Sequence, residues 1–326
     1  TSRAAENLFW LGRYTERAEN ATRLARIVLQ SLHGEEEPSI GHLMWIGQLA
    51  ESAGLVPDDC PSPLDDRVEF ERQLIGALGD TEDTPSVGYT LRNLRQAGSA
   101  LRERLSPEHW NFIKQAEDNF LREARRLRDD GGQGADALQQ LAAVSRALSA
   151  ITGAQHDRMW RDDGWRLLSA GRQIERLTYL SEALSRGFYT NAVHDAAGFG
   201  VVLDLFDSTI SFHARYQRSR AIAALIEHVV LNFENPRSLG WVVQTLNGRL
   251  ARLHEREPGP LEDLSKRLQP PGADELTRLC QSDHIGDFVH LQALLQQFMK
   301  AGAQLSTDIS LRHFTHTGEV RRSTGV

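Results

Sequence analysis

The sequence predicts an all-α protein, and three observations carry that expectation. Apolar residues recur at three- and four-residue steps, as in Leu11, Tyr14, Ala18, Ala21, Ala25, Val28 and Leu32, the spacing of one buried helical face. Helix-ending and helix-starting residues separate these runs: Gly34 ahead of Pro38, Ser106-Pro107, and Asn235-Pro236. No alternating apolar-polar stretch lasts long enough to mark a sheet.

The first helix is expected over residues 2–33, ending at Gly34 and Glu35-Glu36-Glu37-Pro38. A second, over 41–53, would bury Leu43, Met44, Ile46 and Leu49. Pro57, Pro61 and Pro63 mark a loop around 54–62, and 68–78 reads as helix. After an acidic turn at 80–85, residues 86–105 form a helix with Leu91, Leu94, Ala97 and Leu101 on one side. Ser106 as N-cap and Pro107 at the first helical position start another, lasting to 128. Asp129-Asp130-Gly131-Gly132-Gln133-Gly134 reads as a surface loop, although it is also the best flexible hinge in the chain. Helices follow over 135–155, 163–186, 194–215 and 221–231. Asn235 as cap and Pro236 at its first position open one over 236–255. Pro258, Pro260, Pro270 and Pro271 make 257–271 partly irregular, and the last helix, 282–313, precedes a polar tail ending Arg321-Arg322-Ser323-Thr324-Gly325-Val326.

The chain has 326 residues, enough for one large or two medium helical units with a substantial core. A formal net charge of -7 and a pI near 6.0 argue against general nucleic-acid binding. Lys114, Lys266 and Lys300 are the only lysines, so nearly all positive charge is arginine, which grips carboxylates and phosphates bidentately. Genomic composition alone also explains that bias. Cys60 and Cys280 offer neither a disulfide framework nor a cysteine-based zinc site, and they fit a reducing cytoplasm. No apolar run approaches the ~18 residues of a membrane span.

One unit stands out. Gly12-Arg13-Tyr14-Thr15-Glu16-Arg17 returns as Gly171-Arg172-Gln173-Ile174-Glu175-Arg176 after a shift of 159 residues, which also sets Leu8 on Leu167. A guanidinium beside an apolar seam must be paired, because an isolated buried charge is very costly. The two helices are therefore expected to face each other across a pseudo-twofold axis, each Glu answering the other's Arg. Arg-Glu pairs can merely fix helix register. They can equally grip an anion or a carboxylate-bearing peptide through Arg13, Arg17, Arg172 and Arg176, with Glu16 or Glu175 pairing them or binding an amine. A carboxylate among arginines stays ionised, which suits binding better than acid-base catalysis.

Together with Glu6-Asn7-Leu8-Phe9-Trp10-Leu11, the run Gly12-Arg13-x-x-Glu16-Arg17-Ala18-Glu19-Asn20 resembles the opening of the Alpha-E domain, a bacterial all-helical family named for its Glu-Arg motif. Asn93-Leu94-Arg95-Gln96-Ala97, Leu105-Ser106-Pro107-Glu108-x-Trp110, Arg161-Asp162-Asp163-Gly164-Trp165-Arg166 and Asn235-Pro236-Arg237-Ser238 extend the resemblance over nearly the whole chain. The resemblance implies an association with circularly permuted ATP-grasp proteins, fused or encoded alongside, and with transglutaminase-like peptidases. That context implies amide or peptide-bond chemistry. Because Ala170-Gly171-Arg172-Gln173-Ile174-Glu175-Arg176-Leu177 is similar to Alpha-E segments attached to an ATP-grasp module, and the chain starts at Thr1, excision from a longer fusion is expected. The domain would be one unit over 1–326, with candidate halves 1–130 and 135–326.

Secondary candidates lie elsewhere. Arg215-Tyr216-x-Arg218-x-Arg220 is either an anion-binding cluster or a solvated basic helix face; Phe212 and His213 depart from the Tyr-Arg pair of the family pattern. Asn235 and Arg237 sit at an expected helix start, where free N–H groups hold anions, though most such starts are only caps. Asp162-Asp163 is explained by the helix macrodipole. His284 with His290, and His313 with His316, lack a metalloprotease pattern, so no metal site is expected. No phosphate-gripping glycine loop is present. The leading expectation is a cytoplasmic helical partner of an ATP-grasp ligase, binding a peptide, amino acid or acyl phosphate, with ATP and Mg held by the partner. The alternatives are a helical domain that itself transfers or hydrolyses an acyl group, and a non-catalytic docking scaffold.

Overall fold

The computed structural model describes residues 2–257, 259–284 and 286–314; His316 and the tail at 321–326 lie outside the described residues. Among the described residues there are thirteen α-helices and no strand. Two long helices make the centre: α1 (Ser2–Leu32) and, later in the chain, α7 (Asp163–Tyr189). Between them run α2 (Ile40–Ser52), α3 (Arg67–Ala77), α4 (Val87–Ser99), α5 (Pro107–Asp129) and α6 (Gly134–Asp157). After α7 come α8 (Ala196–Leu205), α9 (Thr209–Tyr216), the short α10 (Ile222–Ile226), α11 (Leu239–His254), the single-turn α12 (Leu276–Leu279) and α13 (Val289–His313).

Helix starts follow local chemistry. Ser106 Oγ accepts from the His109 N–H, with Pro107 at the first turn. Asp162 caps α7 by accepting from the Trp165 N–H at 2.9 Å and also receives Arg104 at 2.8 Å, so it has more to do than complement a macrodipole. Ser39 and Asp66 cap α2 and α3 in the same way. Such caps each stabilise by about 1 kcal/mol.

α1 packs against α7, α4 and α6, while α7 also receives α11 and α13. Both central helices are consequently buried on several faces: Leu8, Phe9, Leu24 and Leu29 are as inaccessible as the expected seam of Leu11, Ala18, Ala25 and Val28. One continuous hydrophobic cluster joins Leu8 to Phe314 and includes residues of nearly every helix. Trp45 of α2 is anchored in it by donating its indole N–H to the Ala183 carbonyl at 2.9 Å. No helix among the described residues is long and apolar enough to cross a membrane.

Three expected helices are revised. The run expected over 194–215 is cut into α8 and α9 at Asp207, whose φ is +49°. Its side chain is held there by Arg23 and Arg237, at 3.0 and 3.3 Å. The segment expected over 221–231 winds as α for one turn and then as π over Glu227–Leu231, closing with Asn232 N–H donating to the Glu227 carbonyl. The last helix begins at Val289 rather than 282, after an irregular approach that includes Gly286 at φ +86°. The remaining long helices lie within a few residues of expectation, where ends are always least determined; the one expected over 86–105 stops earlier, at Ser99.

Candidate functional site

The site forms where α1 crosses α7, and two glycines make the crossing close. A Cβ on Gly12 would stand 2.0 Å from the Leu168 carbonyl oxygen, and one on Gly171 would stand 2.4 Å from that of Phe9. Only hydrogen fits at either point. The same shift of 159 residues that relates the two motifs exchanges these contacts, carrying Gly12 to Gly171 and Phe9 to Leu168.

The side chains exchange in the same way. Glu16 receives Arg176 Nε at 2.6 Å and Nη2 at 2.9 Å, and Arg172 Nη2 at 2.9 Å. Glu175 receives Arg17 Nε at 2.8 Å and Nη2 at 3.0 Å, and Arg13 Nε at 2.9 Å. Bidentate guanidinium pairs of this kind are the stronger class of charge-assisted hydrogen bonds. The expectation that each Glu answers the other helix's arginines therefore describes the contacts at the crossing.

Chemically the two halves are twins, but their surroundings differ. Glu16 is fully buried, and the side chains of Arg172 and Arg176 are only 4% and 9% exposed. Arg172 is further held by Glu19 at 3.1 Å and by Thr152 and Gln155 at 2.9 and 3.1 Å. Burial alone would raise the Glu16 pKa; the charges of Arg176 and Arg172 outweigh it and hold the carboxyl well below the usual range. The outer half is more open, with 12% of Glu175 and 38% of Arg17 exposed, and it is braced by Arg13 donating to Ser306 of α13 at 2.7 Å.

A third arginine completes the inner half. Arg237 Nη1 lies 3.8 Å from Glu16 and its Nη2 3.3 Å from Asp207, which also receives Arg23 at 3.0 Å. Four guanidinia (Arg23, Arg172, Arg176, Arg237) thus share three carboxylates (Glu16, Glu19, Asp207), leaving one positive charge in surplus. Burial, and then repulsion from Arg176, push the Arg237 guanidinium down to about 10. Arg172, Arg176 and Arg237 line a cavity of about 270 Å³ with Gln173, Trp165 and Trp241, and no described lining residue is acidic. Gln173 Oε1 is buried there without a partner. Behind the cavity, Arg161 and Arg249 stack on the Trp165 ring at 3.8 and 4.8 Å from its centroid. An anion entering this cavity meets a field with no opposing charge on the walls.

Of the sequence-predicted residues, Arg13, Glu16, Arg17, Arg172, Glu175, Arg176 and Arg237 converge on the crossing. Arg215, Tyr216 and Asn235 do not line its cavities. Arg215 and Tyr216 end α9 and bond to Glu227 of the π turn, Arg215 at 3.3 Å. Asn235 is not a helix cap. Ser238 caps α11, accepting from the Trp241 N–H at 3.1 Å, and Asn235 instead donates to the His228 carbonyl at 3.0 Å and to Ser208 at 3.1 Å. Glu19, Arg23, Asp207 and Gln173 escaped the sequence reading; Glu19 and Gln173 stood inside the motifs, but nothing local distinguished the other two. Among the described residues, no group of three or more His, Cys, Asp or Glu is arranged to hold a metal.

The chain is 24% identical to an uncharacterised protein of Mycobacterium tuberculosis over 335 aligned positions, covering 95% of this chain and 37% of that protein. An uncharacterised protein of Mycobacterium bovis matches with the same 24% identity and the same shares. The chain therefore spans little more than a third of the length of these relatives. No solved structure matches it. The model of the Alpha-E family, described as a predicted alpha-helical domain with a conserved ER motif, matches residues 1–314, and the Glu16-Arg17 and Glu175-Arg176 pairs supply two such dipeptides. The chain belongs to the Alpha-E family.

Proposed function

We propose that the chain is the substrate-holding partner of an ATP-dependent amide- or peptide-ligating module of ATP-grasp type, and that it holds the carboxylate or acyl-phosphate end of the substrate. The observation that carries the reading is the cavity walled by Arg172, Arg176 and Arg237, with no acidic residue among its described lining and one positive charge in surplus behind it. Carboxylate and phosphoryl groups are the ligands for which planar guanidinia are best shaped. Binding is favoured over catalysis because Glu16 has no proton to give near neutral pH. The ligase partner, its ATP and Mg, and an accompanying transglutaminase-like peptidase belong to this reading through the family resemblance, and a cytoplasmic setting through the reduced state that Cys60 and Cys280 fit. That most of each relative's length lies outside the match leaves room for such a module in those proteins.

The test measures ATP turnover and peptide products for this chain alone, for an ATP-grasp partner alone, and for both. Product is expected only with both present, and Arg237→Gln should lower its yield while circular dichroism stays native. Acetyl phosphate and inorganic phosphate serve as direct binding probes. Ligation by this chain alone, or product unchanged when it is left out, would overturn the reading.

A further inference from the structure

A second cavity, about 640 Å³, opens at the outer half of the crossing and shares no lining residue with the arginine cavity. Its charge is of the opposite sign. Arg17 is its one basic lining residue among five carboxylates. Two of these are neutralised, Glu175 by Arg17 and Glu182 by Arg186 at 2.9 Å. The other three, Glu51, Asp58 and Asp83, stand exposed at the rim, and among the described residues no ion pair or hydrogen bond engages their side chains.

The rim is held in shape. Gly54, at φ +69°, lies against Pro85 so closely that a Cβ would come within 2.4 Å of the ring, which locks the loop bearing Asp58 to the loop bearing Asp83. Asp80 accepts the backbone N–H groups of Glu82, Asp83 and Thr84 and fixes the second loop. The carboxylates are therefore presented by ordered backbone rather than by a floppy acidic run.

The floor supplies the independent observation. Asn20 is only 8% exposed, lines the cavity, and has no partner for its Nδ2. Tyr179 also lines the cavity, and its hydroxyl is likewise buried and unpartnered. Arg17 spends Nε and Nη2 on Glu175, which leaves Nη1 outside that pair. An unmade buried hydrogen bond is costly, and an incoming acceptor oxygen relieves it. Donors at the floor and carboxylates at the rim describe a ligand with a carbonyl or carboxylate at one end and a cation at the other.

We propose that this cavity binds a peptide or amino-acid derivative bearing a free ammonium group, with its carbonyl oxygen on Asn20 and Tyr179 and the ammonium among Glu51, Asp58 and Asp83. Such a ligand differs in kind from the anion assigned to the arginine cavity, and the two sites stand or fall separately.

Calorimetric titration of the full chain with dilysine tests the assignment, alongside dilysine acetylated on all three amines and cadaverine, a diamine without a carbonyl. Dilysine should bind, more weakly as salt rises, and both controls should bind about fivefold more weakly, the factor that ~1 kcal/mol corresponds to: the acetylated peptide through lost charge contacts, cadaverine through the lost hydrogen bonds to the carbonyl. Asp58→Asn combined with Asp83→Asn should reproduce the loss. Tyr179→Phe separates binding from folding: it removes only a hydroxyl that has no partner in the free protein, so thermal stability should hold while dilysine affinity falls. Cadaverine binding as tightly as dilysine would reduce the cavity to an acidic patch and overturn the proposal. So would an absence of dilysine binding, or binding indifferent to both the rim and Tyr179 variants. Inorganic phosphate should not compete; competition would place dilysine elsewhere and overturn the assignment too.

Discussion

The crossing of α1 and α7 contains its own control experiment. Glu16 and Glu175 each accept a bidentate pair from one arginine and further bonds from a second, yet Glu16 is wholly buried while Glu175 is 12% exposed and its partner Arg17 is 38% exposed. Glu16→Gln leaves Arg176 without a carboxylate and adds Arg237 to an unbalanced cluster; Arg172 keeps only Glu19. Breaking a buried pair by removing one partner costs about 3–5 kcal/mol. Glu175→Gln breaks two ion pairs, with Arg13 and Arg17, against three at Glu16, and solvent screens the guanidinia left behind, so the loss is discounted to about 1–2 kcal/mol. Equilibrium urea denaturation at neutral pH reads both as shifts in midpoint at constant slope. The wild type should also lose stability as pH falls below the ordinary glutamate range. There the unfolded chain takes up a proton that folded Glu16, with its depressed pKa, does not. Glu16→Gln should flatten that acid limb. Equal losses for the two substitutions, or an acid limb unchanged in Glu16→Gln, would refute the argument that burial sets the difference between the twins.

Two further predictions concern the scaffold. Gly12→Ala and Gly171→Ala should each destabilise by roughly 1–3 kcal/mol or more, because the new methyl meets backbone that cannot yield. Gly153→Ala, in α6 with nothing within 4 Å of the added carbon, should instead stabilise by up to ~1 kcal/mol; thermal melts compare the three. His109 is fully buried with both ring nitrogens unpartnered, and burial, aided by Arg158, pushes it down to about 4. Stability should therefore decline as pH drops from the usual histidine range toward that value, since only the unfolded chain gains the proton. His109→Leu should remove this decline and be neutral or stabilising at neutral pH, as pH-dependent melts will show.

The helical class and the motif pairing could be read from the sequence because both are local signals. Apolar spacing fixes which residues face inward, and a guanidinium next to an apolar seam demands a carboxylate. The repeated Gly-Arg-x-x-Glu-Arg unit named two such demands that could satisfy each other. Asp207 and Arg23 were invisible for the opposite reason: their pairing depends on a helix break that is itself stabilised by the pairing. Asn235 misled because an Asn-Pro start is a common cap, while Ser238, three residues on, provides the actual one. The difference in exposure between the two Glu-Arg sets was illegible as well, since it depends on α11 and its preceding loop covering one set, while α13 braces the other without closing it.

The distance along the chain between the two halves of the crossing bears on how the molecule assembles. Arg176 lies 160 residues from Glu16, and Glu175 lies 162 from Arg13. During synthesis α1 emerges long before the arginines that neutralise Glu16, and until they arrive its carboxylate must remain hydrated. α1 therefore cannot settle into its final place against α4 and α6 alone, although both precede α7 in the chain. The native crossing carries a large loop-closure cost that nearby helical contacts do not share. Local helical pairs such as α5 with α6 are free to dock early, whereas the central helix is the last to be committed. A nascent chain stopped short of α7 would expose an apolar helix with a charged notch at its middle, a species suited to chaperone capture rather than to autonomous folding.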